Sequence, residues 1–121
     1  MDSEQQNTGF QYDAVKVSEE LGIRAEVLER LVTSFADTLA EKIKALETAF
    51  NDNDVLKMRA LLHEIRGTSG NLRLETVISS AKIMHEAVKS GFSKNIIGDY
   101  FQDLQKRAGE FQEYIKSKQS A

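Results

Sequence analysis

Residues 28–50 read LERLVTSFADTLAEKIKALETAF. Leu28, Leu31, Phe35, Leu39, Ile43, Leu46 and Phe50 recur there at steps of three or four, the period of one helix face. The stretch predicts an amphipathic helix of about seven turns, closed by the polar cluster Asn51-Asp52-Asn53-Asp54. The same period returns on both sides of it. Upstream, a short helix is expected from Asp13 to Leu21, with Asp13 as N-cap and Gly22 as the stop. Downstream, Met58, Leu61, Leu62, Ile65 and Leu72 mark a third helix. Leu74, Val77, Ile78, Ala81, Met84 and Val88 mark a fourth, stopped by Ser90-Gly91. Ile97, Tyr100, Phe101, Leu104, Ala108, Phe111 and Ile115 mark a fifth. No useful run alternates as a strand would. Proline is absent from all 121 residues, where average usage would give about six. The expected fold is all-α: an antiparallel up-down four-helix bundle, with the short first helix lying across one end. Residues 10–118 are expected to form this one domain, with a flexible tail at 1–9 and a C-terminal tail at 119–121.

Composition excludes several classes of function. The longest apolar run, Ala60-Leu61-Leu62, is far too short to cross a bilayer. The start, Met1-Asp2-Ser3-Glu4-Gln5-Gln6, has neither the basic nor the apolar region of a signal peptide, so a cytoplasmic protein is expected. No cysteine is present, which removes disulfides, thiolate nucleophiles and Cys-based zinc sites. A net charge of −3 and a pI near 5.4 argue against a general nucleic-acid binder.

Of the two histidines, His63 and His85, the first stands out by position. On a wheel of the third helix, Met58, Leu61, Ile65 and Leu72 fall on the side opposite His63, whereas Arg59, Arg66, Gly67 and Gly70 fall within about 60° of it. His63 therefore points away from the core. Gly67 and Gly70 each cost a helix roughly 1 kcal/mol relative to alanine. Two of them one turn apart, beside an outward histidine, suggest a surface cleared for a close partner. Their rival explanations are an idle surface histidine and a fraying terminus. Between Lys57 and Lys89 there are six basic side chains (Lys57, Arg59, Arg66, Arg73, Lys82, Lys89) against three acidic ones (Glu64, Glu75, Glu86). A basic segment in an acidic chain suits a local anion such as a phosphoryl group, although charges also serve simply to solvate outer helix faces.

The run His63-Glu64-Ile65-Arg66-Gly67-Thr68-Ser69-Gly70-Asn71-Leu72 closely resembles the signature of histidine phosphotransfer (HPt) domains. There a histidine is followed at +3 by a basic residue, at +4 by glycine, at +6 by a small residue and at +9 by an apolar one. The lead-in Asn53-Asp54 to Leu61-Leu62 and the helical plan from Asp13 to Ile115 fit as well. The resemblance implies a phosphoryl carrier that exchanges phosphate between His63 and receiver-domain aspartates. By position, Arg66 would neutralise phosphoryl oxygens, Gly67 would let the receiver approach, and Ser69 and Gly70 would keep neighbouring space small. Arg59, Ala60, Gly67, Ser69 and Gly70 would form the docking face. Some family members place a glutamine 22 residues after the acceptor to hydrogen-bond its Nδ1; here that position is His85, with Lys89 four further on. Arg66 stands where lysine is commoner, and Arg73 where the family usually has glycine.

The resemblance implies response-regulator receiver domains as partners, with a hybrid sensor histidine kinase as a further one, and a monomer that keeps its acceptor face open. No cofactor is expected on this chain. The Mg²⁺ that phosphoryl transfer needs would sit on the receiver, and with no Walker-type loop the chain would be a carrier without kinase activity of its own. Two rivals remain: a helical adaptor that binds receivers through the same face without being phosphorylated, and a metal site on His63 and His85. For the second, two histidines without an HExxH pattern are too few.

Overall fold

In the computed structural model, which describes residues 10–120, most helix ends follow signals local to the sequence. The helices are α1 (Ala14–Leu21), α2 (Ala25–Asn51), α3 (Val55–Asn71), α4 (Glu75–Lys89) and α5 (Lys94–Ser120), and no strand occurs among the described residues. Side-chain oxygens cap three of the starts. Asp13 accepts from the Lys16 amide at 3.0 Å, Asp54 from the Lys57 amide at 3.1 Å, and Ser93 from the Ile96 amide at 3.3 Å. Each cap satisfies one amide that the first turn leaves without a partner.

All four connections between helices use the same stop. Gly22, Asn53, Arg73 and Gly91 each adopt a left-handed φ, of 70°, 56°, 60° and 72°. In each case the following amide reaches back five residues: Ile23 to Ser18, Asp54 to Ala49, Leu74 to Ser69 and Phe92 to Ala87. This paired closure satisfies the last carbonyls of a helix and reverses the chain within a few residues. Glycine or asparagine suits such a position; arginine does not, because its Cβ crowds the carbonyl. Arg73 offsets that strain by donating from Nη1 to the carbonyls of Gly70 and Asn71, both at 3.3 Å, and by pairing with Glu20 at 3.5 Å. The expected end of the third helix is thus kept without the usual glycine.

The long helices pack in a ring, α2 on α3, α3 on α4, α4 on α5 and α5 back on α2, and α1 packs on α2. Leu28, Leu39, Leu46, Leu62, Ile65, Leu74, Val77, Ala81, Met84, Leu104 and Phe111 are fully buried between them. Phe35 meets Phe111 and Phe50 stacks on Phe101, so positions rising along α2 meet positions falling along α5. Gly98 has an internal reason, since a Cβ there would lie 3.2 Å from the Phe50 ring. Ahead of α1, the Tyr12 hydroxyl donates to the Leu72 carbonyl at 2.7 Å, and burial pushes its pKa up to about 12.

Two expectations change. Leu31 is 47% exposed and lies outside the core, because Val32 takes the inward position of that turn; Leu31 instead lines a groove between α2 and the end of α3. Helix α5 continues through Gln119 and Ser120, expected to be tail, since no breaker interrupts it. The expected tail at 1–9 lies outside the described residues.

The turn at Arg73 makes a stability ordering testable by urea unfolding. Arg73→Ala keeps the left-handed strain and loses the guanidinium bonds, so it should be less stable than Arg73→Gly by about 1 kcal/mol. The reverse order would show that φ at this position carries no strain.

Candidate functional site

Helix α3 buries Met58, Leu61, Leu62, Ile65 and Ser69, and this leaves His63 on its outer face, exposed to solvent. His63 makes no hydrogen bond or ion pair among the described residues, and its ring nitrogens are open to a reactant. Arg59, Ala60 and Gly67 are exposed beside it, and Gly70 is half-buried. A Cβ built at Gly67 or at Gly70 would meet nothing within 4 Å. Nothing inside the chain therefore requires either glycine, unlike Gly98.

The C-terminal part of α4 brings His85 against Arg66 beside this face. His85 is 7% exposed, and its Nδ1 receives a hydrogen bond from Nη1 of Arg66 at 2.9 Å. Burial, followed by the positive charges of Arg66 and Lys89, holds the His85 pKa below the usual histidine value; Glu86 opposes the shift, and His63 adds slightly to it. Glu86 lies 3.8 Å from both Arg66 and Lys89 and ties the two cations together. On the other side of α3, Lys42 of α2 pairs with Glu64 at 2.7 Å, and that bond holds the Glu64 carboxyl below the ordinary carboxylate range. Among the described residues, no three His, Asp or Glu side chains gather as a metal site.

The structure brings His63, Arg66, His85 and Lys89 to the α3–α4 side of the bundle, and it corrects two expected roles. His85 does not bond His63; its Nδ1 is taken by the Arg66 guanidinium, which reaches across from α3 first. Ser69 is not on the docking face. It is fully buried with its hydroxyl unpartnered among the described residues, since six positions after His63 the helix has turned toward the core. Sequence reasoning passed over three neighbours. Leu56, 76% exposed, lies two turns before His63 on the same strip, and its being out of phase with the core could have shown it. The pairing of Lys42 with Glu64 and of Glu86 with Arg66 comes from contacts between helices, which leave no signal in the linear sequence.

The site is an exposed histidine flanked by glycines that no internal contact requires, with Arg66 held by His85 beside it, on an all-helical bundle. The sequence model of the Hpt domain family matches residues 30–112, well over half of the chain, and the chain belongs to that family. Neither a curated protein nor a solved structure matches it. Membership involves the chain in phosphorelay histidine phosphotransfer, in which Hpt domains interact with receiver domains. No helix among the described residues is long and apolar enough to cross a membrane.

The buried, unpartnered Ser69 hydroxyl costs stability that alanine would not. Ser69→Ala should therefore raise the unfolding free energy by up to about 1 kcal/mol. Gly67→Ala should do so by a similar, roughly 1 kcal/mol, margin, since its methyl enters open space. Loss of stability in either variant, followed by circular dichroism in urea, would contradict the packing described.

Proposed function

We propose that His63 accepts a phosphoryl group from a receiver-domain phospho-aspartate and relays it to another receiver. The observation that carries this reading is the pair Gly67 and Gly70. The helix bears their cost, no side chain of the chain itself fills the space they leave, and both lie on the same helix face as the exposed His63. A surface cleared at that cost fits the close approach of another protein.

In the transfer, Nε2 of His63 attacks phosphorus with its lone pair. The bond from phosphorus to the aspartyl oxygen breaks, the carboxylate leaves with the electron pair, and an N–P bond forms. The return step reverses these changes. The nitrogen must be unprotonated to attack. Arg66 and Lys89 supply positive charge where three phosphoryl oxygens share negative charge in the transition state. Arg59, Ala60, Gly67 and Gly70 form the surface on which the receiver sits, and Mg²⁺ comes with the receiver. The chain acts as a carrier, with no kinase activity of its own.

The same reading takes residues 10–118 as one antiparallel up-down four-helix bundle with α1 added. The opposed order of the Phe35–Phe111 and Phe50–Phe101 contacts supports this arrangement. It also takes the protein as a cytoplasmic monomer, because self-association through this face would cover His63. A non-phosphorylated adaptor would use the same surface, and phosphate uptake separates the two.

Incubation with a phosphorylated receiver should place one phosphoryl group on His63, in an acid-labile, base-stable bond. His63→Gln should abolish labelling and leave the helical circular dichroism unchanged, since the side chain faces solvent. Label on the His63→Gln protein would sink the assignment, and a parent protein that binds receivers without gaining phosphate would favour the adaptor. Gly67→Leu should remain folded yet slow transfer by at least about ten-fold, a barrier increase of about 1.4 kcal/mol. Transfer at the parent rate would remove the argument from the cleared surface.

A further inference from the structure

Arg66 crosses from α3 to α4 and is held there by one nitrogen. Nη1 donates to His85 at 2.9 Å and lies 3.8 Å from Glu86, while Nη2 and Nε make no hydrogen bond among the described residues. A guanidinium has donors and no acceptor. Nδ1 of His85 must therefore present its lone pair, and the ring carries its proton on Nε2. The burial of the two partners differs. His85 is 7% exposed, whereas the Arg66 side chain is 31% exposed, so the pair has an anchored end and an open end. On α3, Arg66 lies within about 60° of His63 around the helix axis.

We propose that His85 is a positioning residue for Arg66, gripping one edge of the guanidinium so that its other edge is presented to a phosphoryl group on His63. The inference rests on His63 being the acceptor, and it gives His85 a task other than orienting the His63 ring. The planarity of the guanidinium makes the arrangement effective: fixing Nη1 restricts the orientation of the whole group. An ammonium on a flexible stem could not be held at one edge and offered at another. A cation already in place when charge develops stabilises it without reorganising at that moment. Glu86 limits the movement of the same nitrogen and tethers Lys89 alongside.

The charged and titratable groups bearing on His85 are Arg66 and His63 from α3 and Glu86 and Lys89 from α4. Burial and the two cations keep the ring neutral as pH falls below the ordinary histidine value, so the lone pair on Nδ1 persists. Once His85 does protonate, Nδ1 becomes a donor facing a donor, and the grip is lost.

Nitrogen-15 NMR of the whole chain tests the grip without any phosphate. His85 should show an unprotonated Nδ1 and a protonated Nε2 near neutral pH, and should titrate below an ordinary histidine. Arg66→Ala should raise that midpoint only part of the way, because burial remains. A proton found on Nδ1 would overturn the proposal. Transfer from a phosphorylated receiver tests the consequence. His85→Leu should slow it by about ten-fold, and His85→Asn, whose Oδ1 stands where Nδ1 does, should recover most of that loss. In an Arg66→Ala background, His85→Leu should have little further effect, less than about two-fold, because the two residues act as one unit. If His85→Leu slows the Arg66→Ala protein as much as the parent, or if His85→Asn is as slow as His85→Leu, His85 does not act through Arg66. Should no phosphate reach His63 in the parent, the acceptor reading fails, while the NMR result still decides whether His85 holds Arg66.

Discussion

The hydrogen bond between Arg66 and His85 depends on the turn between α3 and α4, and so does the rest of the site. Only Leu72, Arg73 and Leu74 separate the two helices. One left-handed residue closes α3 and sends α4 back along it, so that residue 66 faces residue 85. Leu72 and Leu74, buried on either side of Arg73, hold that register from the core. A shift of one residue along α4 would turn His85 by about 100° around the helix axis, away from Arg66. The conformation of a half-buried arginine in a turn thus sets the position of a cation more than a helical turn away.

The same turn shows how a residue that disfavours a left-handed conformation can still occupy it. Arg73 lacks glycine's freedom, but its guanidinium reaches the carbonyls left open at the end of α3 and the carboxylate of Glu20. Those bonds are long and partly exposed, and each is worth little. Together with the buried leucines they are enough, since the strain they oppose is itself only about 1–2 kcal/mol. Tyr12, donating to the carbonyl of Leu72, adds a further tie from the segment ahead of α1.

Electrostatics at the site differs from what a count along the chain suggests. Residues 57–89 carry an excess of basic side chains. In three dimensions Glu64 is paired with Lys42 from α2, and Glu86 sits between Arg66 and Lys89. The positive charge near His63 is therefore organised as well as abundant. One carboxylate is drawn off to the neighbouring helix, and the other holds two cations near one another.

Helix number, the long span of α2, the stops at Gly22 and Gly91, and the outward direction of His63 could all be read from the amino-acid sequence. Each depends on interactions within a few residues: the 3.6-residue period, an end cap, or the angle between one side chain and the buried stripe of its own helix. The cost of Gly67 and Gly70 is local in the same way, and that is why the exposed strip around His63 was legible. Other features were not. Leu31 and Val32 are adjacent, both apolar and both compatible with the period, and only the packing of neighbouring helices decides that Val32 is buried and Leu31 exposed. Ser69 likewise belongs to a surface motif in sequence and to the core in space. The partner of His85 was out of reach for a stronger reason. Its Nδ1 can accept from any donor that α3 brings near, and whether that donor is His63 or Arg66 depends on the rotation and register of two packed helices, set by contacts among residues far apart in the chain.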